Sequence, residues 1–380
     1  MRAGSGIAAA ATVREAVEAA AEAALADGLR PDSALLFVGA SFARDIPELL
    51  DVAIGCLGTE AIVGATGTGV LAAGREIENE NAVAILAQAG LEAKPFLVSD
   101  LAGDEAAAGS EIASLLGGPP RAEDLIVFLP DPAAVRSDEL LEGVCRELLP
   151  AQVVGAGAVG SGAAPLQWCG RRAERGGLAG MVLRAERPPR IGVTQACRPV
   201  TEPLRVTRTR GHWVLGIEDR PALDVYRDVA RDPLAGDLRR AAAFLLVALP
   251  RDEAAPLTPG GYLVRHVVGF DEQQKAFAIA DEVKPGDWIA FAQREPDAAR
   301  EDLKAMLEQL GGEPPGLGLY FNCCARGAEF FGFPGLEVAY LERAFPDAPI
   351  AGLFGSCEIG PIAGIPELLT HTGVLALIDS

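Results

Sequence analysis

Residues 34–41 read ALLFVGAS, 45–58 DIPELLDVAIGCLG, 61–69 AIVGATGTG and 81–88 NAVAILAQ. The first is an apolar run of strand length. The second carries Leu and Ile at helical spacing behind Pro47, a residue suited to the first turn of a helix. The third is a strand ending in glycines, and the fourth is another strand. The same order returns in DLIVFLPDP (124–132), SDELLEGVCRELLP (137–150), QVVGAGAVGSG (152–162) and GLAGMVLRAE (177–186). It returns again in GLGLYFNCCARG (316–327), GLEVAYLERAFP (335–346), PIAGLFGSCEIGP (349–361) and HTGVLALI (371–378). Residue identities differ between the copies, so the likeness is one of pattern. Strands alternating with helices predict an α/β fold. The hairpin-like return after each crossover predicts mixed sheets, with antiparallel pairs beside parallel ones, covered by helices.

The chain is 380 residues long, enough for two or three domains. Hydrophobic residues make up 49% but aromatics only 6%, so the cores must be built from small aliphatic side chains. A net charge of −20 repels a phosphate backbone and excludes nucleic acid as the expected partner. No apolar run approaches the ~18–20 residues that a membrane helix needs. The opening, MRAGSGIAAAATVREAVEAAAEAAL, sets Arg14, Glu15, Glu18 and Glu22 among alanines, where a signal peptide would carry no charge. Residues 1–30 are therefore expected to form an amphipathic surface helix, and the chain to be cytoplasmic, with no membrane partner. Seven scattered cysteines without a secretory signal argue against a disulfide framework. There is no C-x-x-C pair, and His212, His266 and His371 are not at zinc-ligand spacing, so no metal is expected. RPPR (187–190) marks a turn or linker after the second copy, and the helix start at Pro221 places a domain boundary near Arg220. The expected division is an amino-terminal domain over 31–220 and a carboxy-terminal domain over 221–380.

Several residues invite a chemical reading. Gly155, Gly157 and Gly160 fit G-x-G-x-x-G after a strand, but SGAAPLQW follows where a dinucleotide site needs a helix. No nucleotide or other cofactor is expected. Cys323 and Cys324 close a strand just before Arg326, a cation able to lower a thiol pKa and make a nucleophile. No evident base accompanies them, and strand alternation keeps the two thiols from facing one pocket. Arg326 and Glu358 follow apolar strands of the same copy and adjoin glycines. Such a pair could hold the carboxylate and amino groups of an amino acid, or could pair with each other and order the loops. Arg198 and Arg265 read as exposed surface residues.

Five stretches together resemble the FIST family. They are VGATGTGVLAAGREIENENAVAILAQ (63–88), IGVTQACRPVTEPLRVT (191–207), RPALDVYRDV (220–229), FNCCARG (321–327) and IAGLFGSCEIGPI (350–362). GYLVRHVVGFDEQQKAFAIADEVKPGDWIAFAQRE (261–295) is similar to the middle of that family's carboxy-terminal domain. The resemblance implies a two-part sensory module that binds small ligands, amino acids among them. From the strand ends, the ligand-binding residues are expected at Asn322, Cys323, Arg326, Gly327, Cys357 and Glu358. Cys357 stands where the family usually has Gly, and Asn322 where it usually has Ser. No catalytic residue is assigned. Output through a signalling protein partner or a homodimer is expected, and the competing readings are a hydrolase using Cys323 and a protein-binding scaffold.

Overall fold

The repeating unit that forms is longer than the pattern in the sequence, because one more strand and one more helix precede each copy. The computed structural model describes residues 1–99, 105–132, 137–231, 234–251, 257–258 and 260–379. In the first repeat, β1 (Arg2–Ala9) and α1 (Val13–Ala24) lead into β2 (Ser33–Gly39), α2 (Ile46–Leu57) and β3 (Ile62–Gly67). The hairpin β4 (Gly69–Ala72) and β5 (Arg75–Glu78) follows, then β6 (Ala82–Ala89). The second repeat runs β7 (Glu92–Val98), α3 (Glu105–Leu115), β8 (Asp124–Pro130), α4 (Ser137–Leu148) and β9 (Gln152–Ala156). Its hairpin is β10 (Gln167–Cys169) and β11 (Arg172–Glu174), and β12 (Leu178–Arg184) ends it.

The third repeat opens with β13 (Arg190–Gln195) and is then interrupted. The interruption holds β14 (Cys197–Pro199), β15 (Leu204–Arg210), β16 (Trp213–Ile217), β17 (Arg220–Pro221), α5 (Ala222–Ala230) and α6 (Leu238–Phe244). It continues with β18 (Leu245–Pro250), β19 (Tyr262–Arg265), β20 (Val267–Asp271), β21 (Ala276–Ile279) and β22 (Trp288–Arg294). The repeat resumes as α7 (Pro296–Gln309), β23 (Pro315–Cys323), α8 (Ala328–Phe331), α9 (Leu336–Ala344) and β24 (Ile350–Gly355). Its hairpin is β25 (Glu358–Ile362) and β26 (Ile365–Leu369), and β27 (Thr372–Asp379) closes it.

Each repeat builds four strands of one sheet and takes the last two from another repeat. The first sheet has the order β1-β6-β2-β3 and is completed by β10 and β11 of the second repeat. The second sheet, β7-β12-β8-β9, is completed by β25 and β26 of the third. The third sheet, β13-β27-β23-β24, is completed by β4 and β5 of the first. In each sheet one parallel pair (β2 with β3, β8 with β9, β23 with β24) sits beside antiparallel neighbours, so the sheets are mixed as expected.

The registers of the three sheets coincide. Gly64, Gly155 and Gly352 lie opposite Leu36, Phe128 and Tyr320 across the parallel pairs. At each of the three glycines an added Cβ would overlap the carbonyl oxygen of that partner. The incoming hairpin sets Trp168, Ile359 and Leu71 against the same three glycines. The helices cover this outer face. α1 and α2 close a core that contains Trp168, and α3 and α4 close one that contains Ile359. On the inner faces, the rings of Phe37 and Phe321 meet edge-on at 6.0 Å between centroids, joining the first and third repeats.

One expectation is corrected. The opening segment is not a helix from residue 1 to 30: the helix occupies Val13–Ala24, and Arg2–Ala9 is a strand paired with β6. The reason lies in Gly4 and Gly6, which leave room for the backbone of α1 at Ala24 and Ala20, so the small residues serve close strand–helix contact. The chain divides into a unit formed by Met1–Val193 with Lys304 onward, and a second formed by Thr194–Leu303. Residue 220 lies within the smaller unit.

The smaller unit is an antiparallel sheet in the order β19-β18-β22-β15-β16-β21-β20, with β14 on β22 and β17 on β16. Its core gathers Tyr226, Phe270, Phe277 and Phe291, and the Tyr226 hydroxyl donates to the Leu245 carbonyl at 3.1 Å. Arg265, read from sequence as exposed, is buried there, because Asp281 takes its Nε at 2.7 Å. Arg198 is exposed.

Candidate functional site

The carboxyl ends of β23 and β24 and the start of β25 bring together most of the charge buried in the third repeat. β23 is apolar through Phe321, and its last two residues, Asn322 and Cys323, are buried with it. The chain then turns, with the Arg326 amide donating to the Cys323 carbonyl at 2.9 Å, which folds the Arg326 side chain inward. Arg326 is 1% exposed and ion-pairs with Glu337 of α9, itself 2% exposed. Asn322 donates its amide to the second oxygen of the same carboxylate. Arg326 also donates to the His371 carbonyl at 3.5 Å. Burial opposes the charge on the guanidinium, but Glu337 holds its pKa above the ordinary arginine value.

Glu358 lies on the other side of His371 and Thr372. It is fully buried, and its Oε2 accepts from the Thr372 hydroxyl at 2.6 Å and the Thr372 amide at 3.1 Å. Its Oε1 has no hydrogen-bond partner among the described residues. Burial pushes its pKa well above the usual carboxylate range, with the Cys323 thiol adding to the effect.

The two buried thiols, Cys323 and Cys357, are not activated as a nucleophile requires. A hydrogen bond with Cys324, and burial, push the Cys323 thiol well above its ordinary value. Burial pushes Cys357 up to about 12. Cys324 is exposed, and the hydrogen bond from Cys323 lowers its pKa. The Cys357 carbonyl accepts from the Gly157 amide at 2.9 Å, which ties the second repeat to the third. Beyond Gly160 the chain turns into β10, not into a helix. Among the described residues no cluster of His, Cys, Asp and Glu could hold a metal, and no helix is long and apolar enough to cross a membrane.

All six expected residues thus lie at one end of the third repeat. Glu337 pairs with Arg326, and Thr372 donates to Glu358. Gly327 has its own reason to be glycine, because a Cβ there would overlap the carboxylate of Glu78. That carboxylate comes from β5 of the first repeat and accepts from the Ala328 amide at 2.8 Å. Glu76, two residues earlier on the same face of β5, accepts from the Gly335 amide. Burial, with Glu337 and Glu78 nearby, raises Glu76 to about 7.

Glu337, Thr372, Glu76 and Glu78 are absent from the sequence reading. Glu337 carried a usable signal, since it sits in GLEVAYLER on the face of α9 that also buries Val338 and Leu341.

Two family descriptions match the chain: FIST N domain over residues 32–220 and FIST C domain over 222–361. An uncharacterized protein of Mycobacterium tuberculosis is 31% identical over 99% of this chain and 99% of its own length. An uncharacterized protein of Mycobacterium bovis is 30% identical over 99% of this chain and 98% of its own.

Proposed function

This chain belongs to the FIST family, and from that membership we infer that it is a cytoplasmic sensory module that binds a small metabolite, an amino acid or a close relative, and signals through a partner protein. FIST domains are associated with signal-transduction sensory modules. The observation that supports a ligand site at the end of the third repeat is Glu358. A buried carboxyl oxygen without a hydrogen-bond partner costs about 1–3 kcal/mol, and a ligand donor that satisfied it would recover that energy. Asn322, Cys323, Arg326, Gly327 and Cys357 surround that place in the proposal, and the exposed Cys324 and Ser356 form its rim. The raised thiol pKa of Cys323 favours binding over a hydrolase that would use it.

The test is a thermal-shift screen of amino acids and related metabolites, followed by calorimetry on the Glu358→Gln protein. This substitution keeps the shape of the side chain and can replace the unpartnered acceptor oxygen by an N–H donor. A ligand that donates to Glu358 should bind it about tenfold more weakly. Arg326→Ala is a poor probe of binding, since it strands Glu337 and should cost about 3–5 kcal/mol of stability. Equal affinity of every hit for the Glu358→Gln and parent proteins would remove the site from this place.

A further inference from the structure

Because the three hairpins share one register, what each lays against the loop beneath it can be compared position by position. β5 sets Glu76 opposite Leu71, which itself lies opposite Gly352. β11 sets Ala173 opposite Trp168, which lies opposite Gly64. Ala173 therefore stands in the first sheet where Glu76 stands in the third, and Arg175 stands where Glu78 stands. In the third sheet the two carboxylates hold the backbone of the loop after β23. Over the loop after β2, the same two positions offer a methyl group and a guanidinium.

The result is an open cleft of about 850 Å³, lined by Ser41, Arg44, Ser161, Ala173, Glu174 and Arg175 among others. That volume lies within the range of small-molecule sites. Glu174 is engaged by Arg172 at 2.5 Å. Arg44 and Arg175 are exposed, and no ion pair joins either to a described residue. Asp45 follows Arg44 but does not line the cleft. Two arginines thus flank a space that lacks the carboxylate pair found in the third sheet and whose one lining carboxylate, Glu174, is engaged by Arg172.

We propose that this cleft is a binding site for a small organic dicarboxylate, held between Arg44 and Arg175. The two guanidinium groups supply planar, charge-assisted donors matched to carboxylates. The site lies between the first and second repeats and is independent of the one proposed around Glu358.

The test is titration calorimetry of the full chain with succinate, glutarate, butyrate and inorganic phosphate. Succinate or glutarate is expected to bind, and butyrate to bind at least tenfold more weakly. Arg44→Ala and Arg175→Ala are each expected to weaken the dicarboxylate about tenfold. Both side chains are exposed, so these variants should keep the parent's melting temperature. Ala173→Glu restores the carboxylate found in the third sheet and is expected to abolish binding. Glu358→Gln should leave it unchanged, which separates this site from the other. Absence of binding by either dicarboxylate at about 10 mM would overturn the proposal. So would phosphate binding more tightly than succinate, or affinity indifferent to both arginine substitutions and to Ala173→Glu.

Discussion

Among single residues, Glu76 carries the clearest consequence for stability. Its carboxyl titrates near the ordinary value of 4.5 when unfolded and at about 7 when folded, chiefly because it is buried, with Glu337 and Glu78 adding repulsion and the Gly335 amide opposing. A raised carboxyl pKa means that the folded state binds the proton more tightly, so the contribution is full below pH 4.5 and is lost as pH rises through 7. Urea unfolding should show stability falling between pH 5 and pH 8 by on the order of 1–2 kcal/mol, discounted for partial exposure. Glu76→Gln should flatten that slope; an unchanged slope would mean that another group titrates. This residue also marks where sequence reading stops. GREIEN shows two acids on one face of a strand, but nothing local says that their partners lie at Ala328 and Gly335. Asn322, Arg326 and Glu358 could be singled out because they lie at the ends of apolar strands, whereas the signal at Glu337, a carboxylate on the buried face of a helix, needed the helix's orientation to be read.

At the level of strands and helices, glycines separate two physical roles. Gly155 needs its missing side chain because the Phe128 carbonyl occupies the place of a Cβ, and Gly64 and Gly352 repeat the case. Gly155→Ala must push β8 away from β9 and should cost on the order of 3 kcal/mol or more. Gly55, inside α2, has no atom within 4 Å of an added Cβ, so Gly55→Ala should stabilise by about 0.5–1 kcal/mol. Denaturant midpoints for the two variants should move in opposite directions; a shift of the same sign would contradict the assignment. The strands and helices of each copy were legible because their apolar runs differ in period. β1 was not, since it runs into the alanine-rich stretch of α1 and is a strand only by pairing with β6. The exchange of hairpins was also invisible, because each hairpin's new neighbour is set by tertiary pairing far along the chain.

For the whole molecule, the repeat shows where in the chain the smaller unit is inserted. The link from first strand to first helix takes three residues in the first repeat (10–12), six in the second (99–104) and 100 in the third (196–295). Replacing residues 196–295 by a flexible six-residue link should leave the three exchanged sheets able to form, since the second repeat closes with that length. Cooperative thermal unfolding and retained amide protection in β23, β24 and β27 would be the expected result. A molten product would show that the insertion is needed for folding. The exchange of hairpins also has a consequence for synthesis. Val70 must find Leu353, 283 positions later in the chain. At ribosomal rates of about 5–20 residues per second, β4 waits roughly 15–60 s for the strand that covers it. Throughout that interval the nascent chain presents an uncovered sheet edge to every other growing polypeptide, and its protection during translation falls to whatever the cell holds against it.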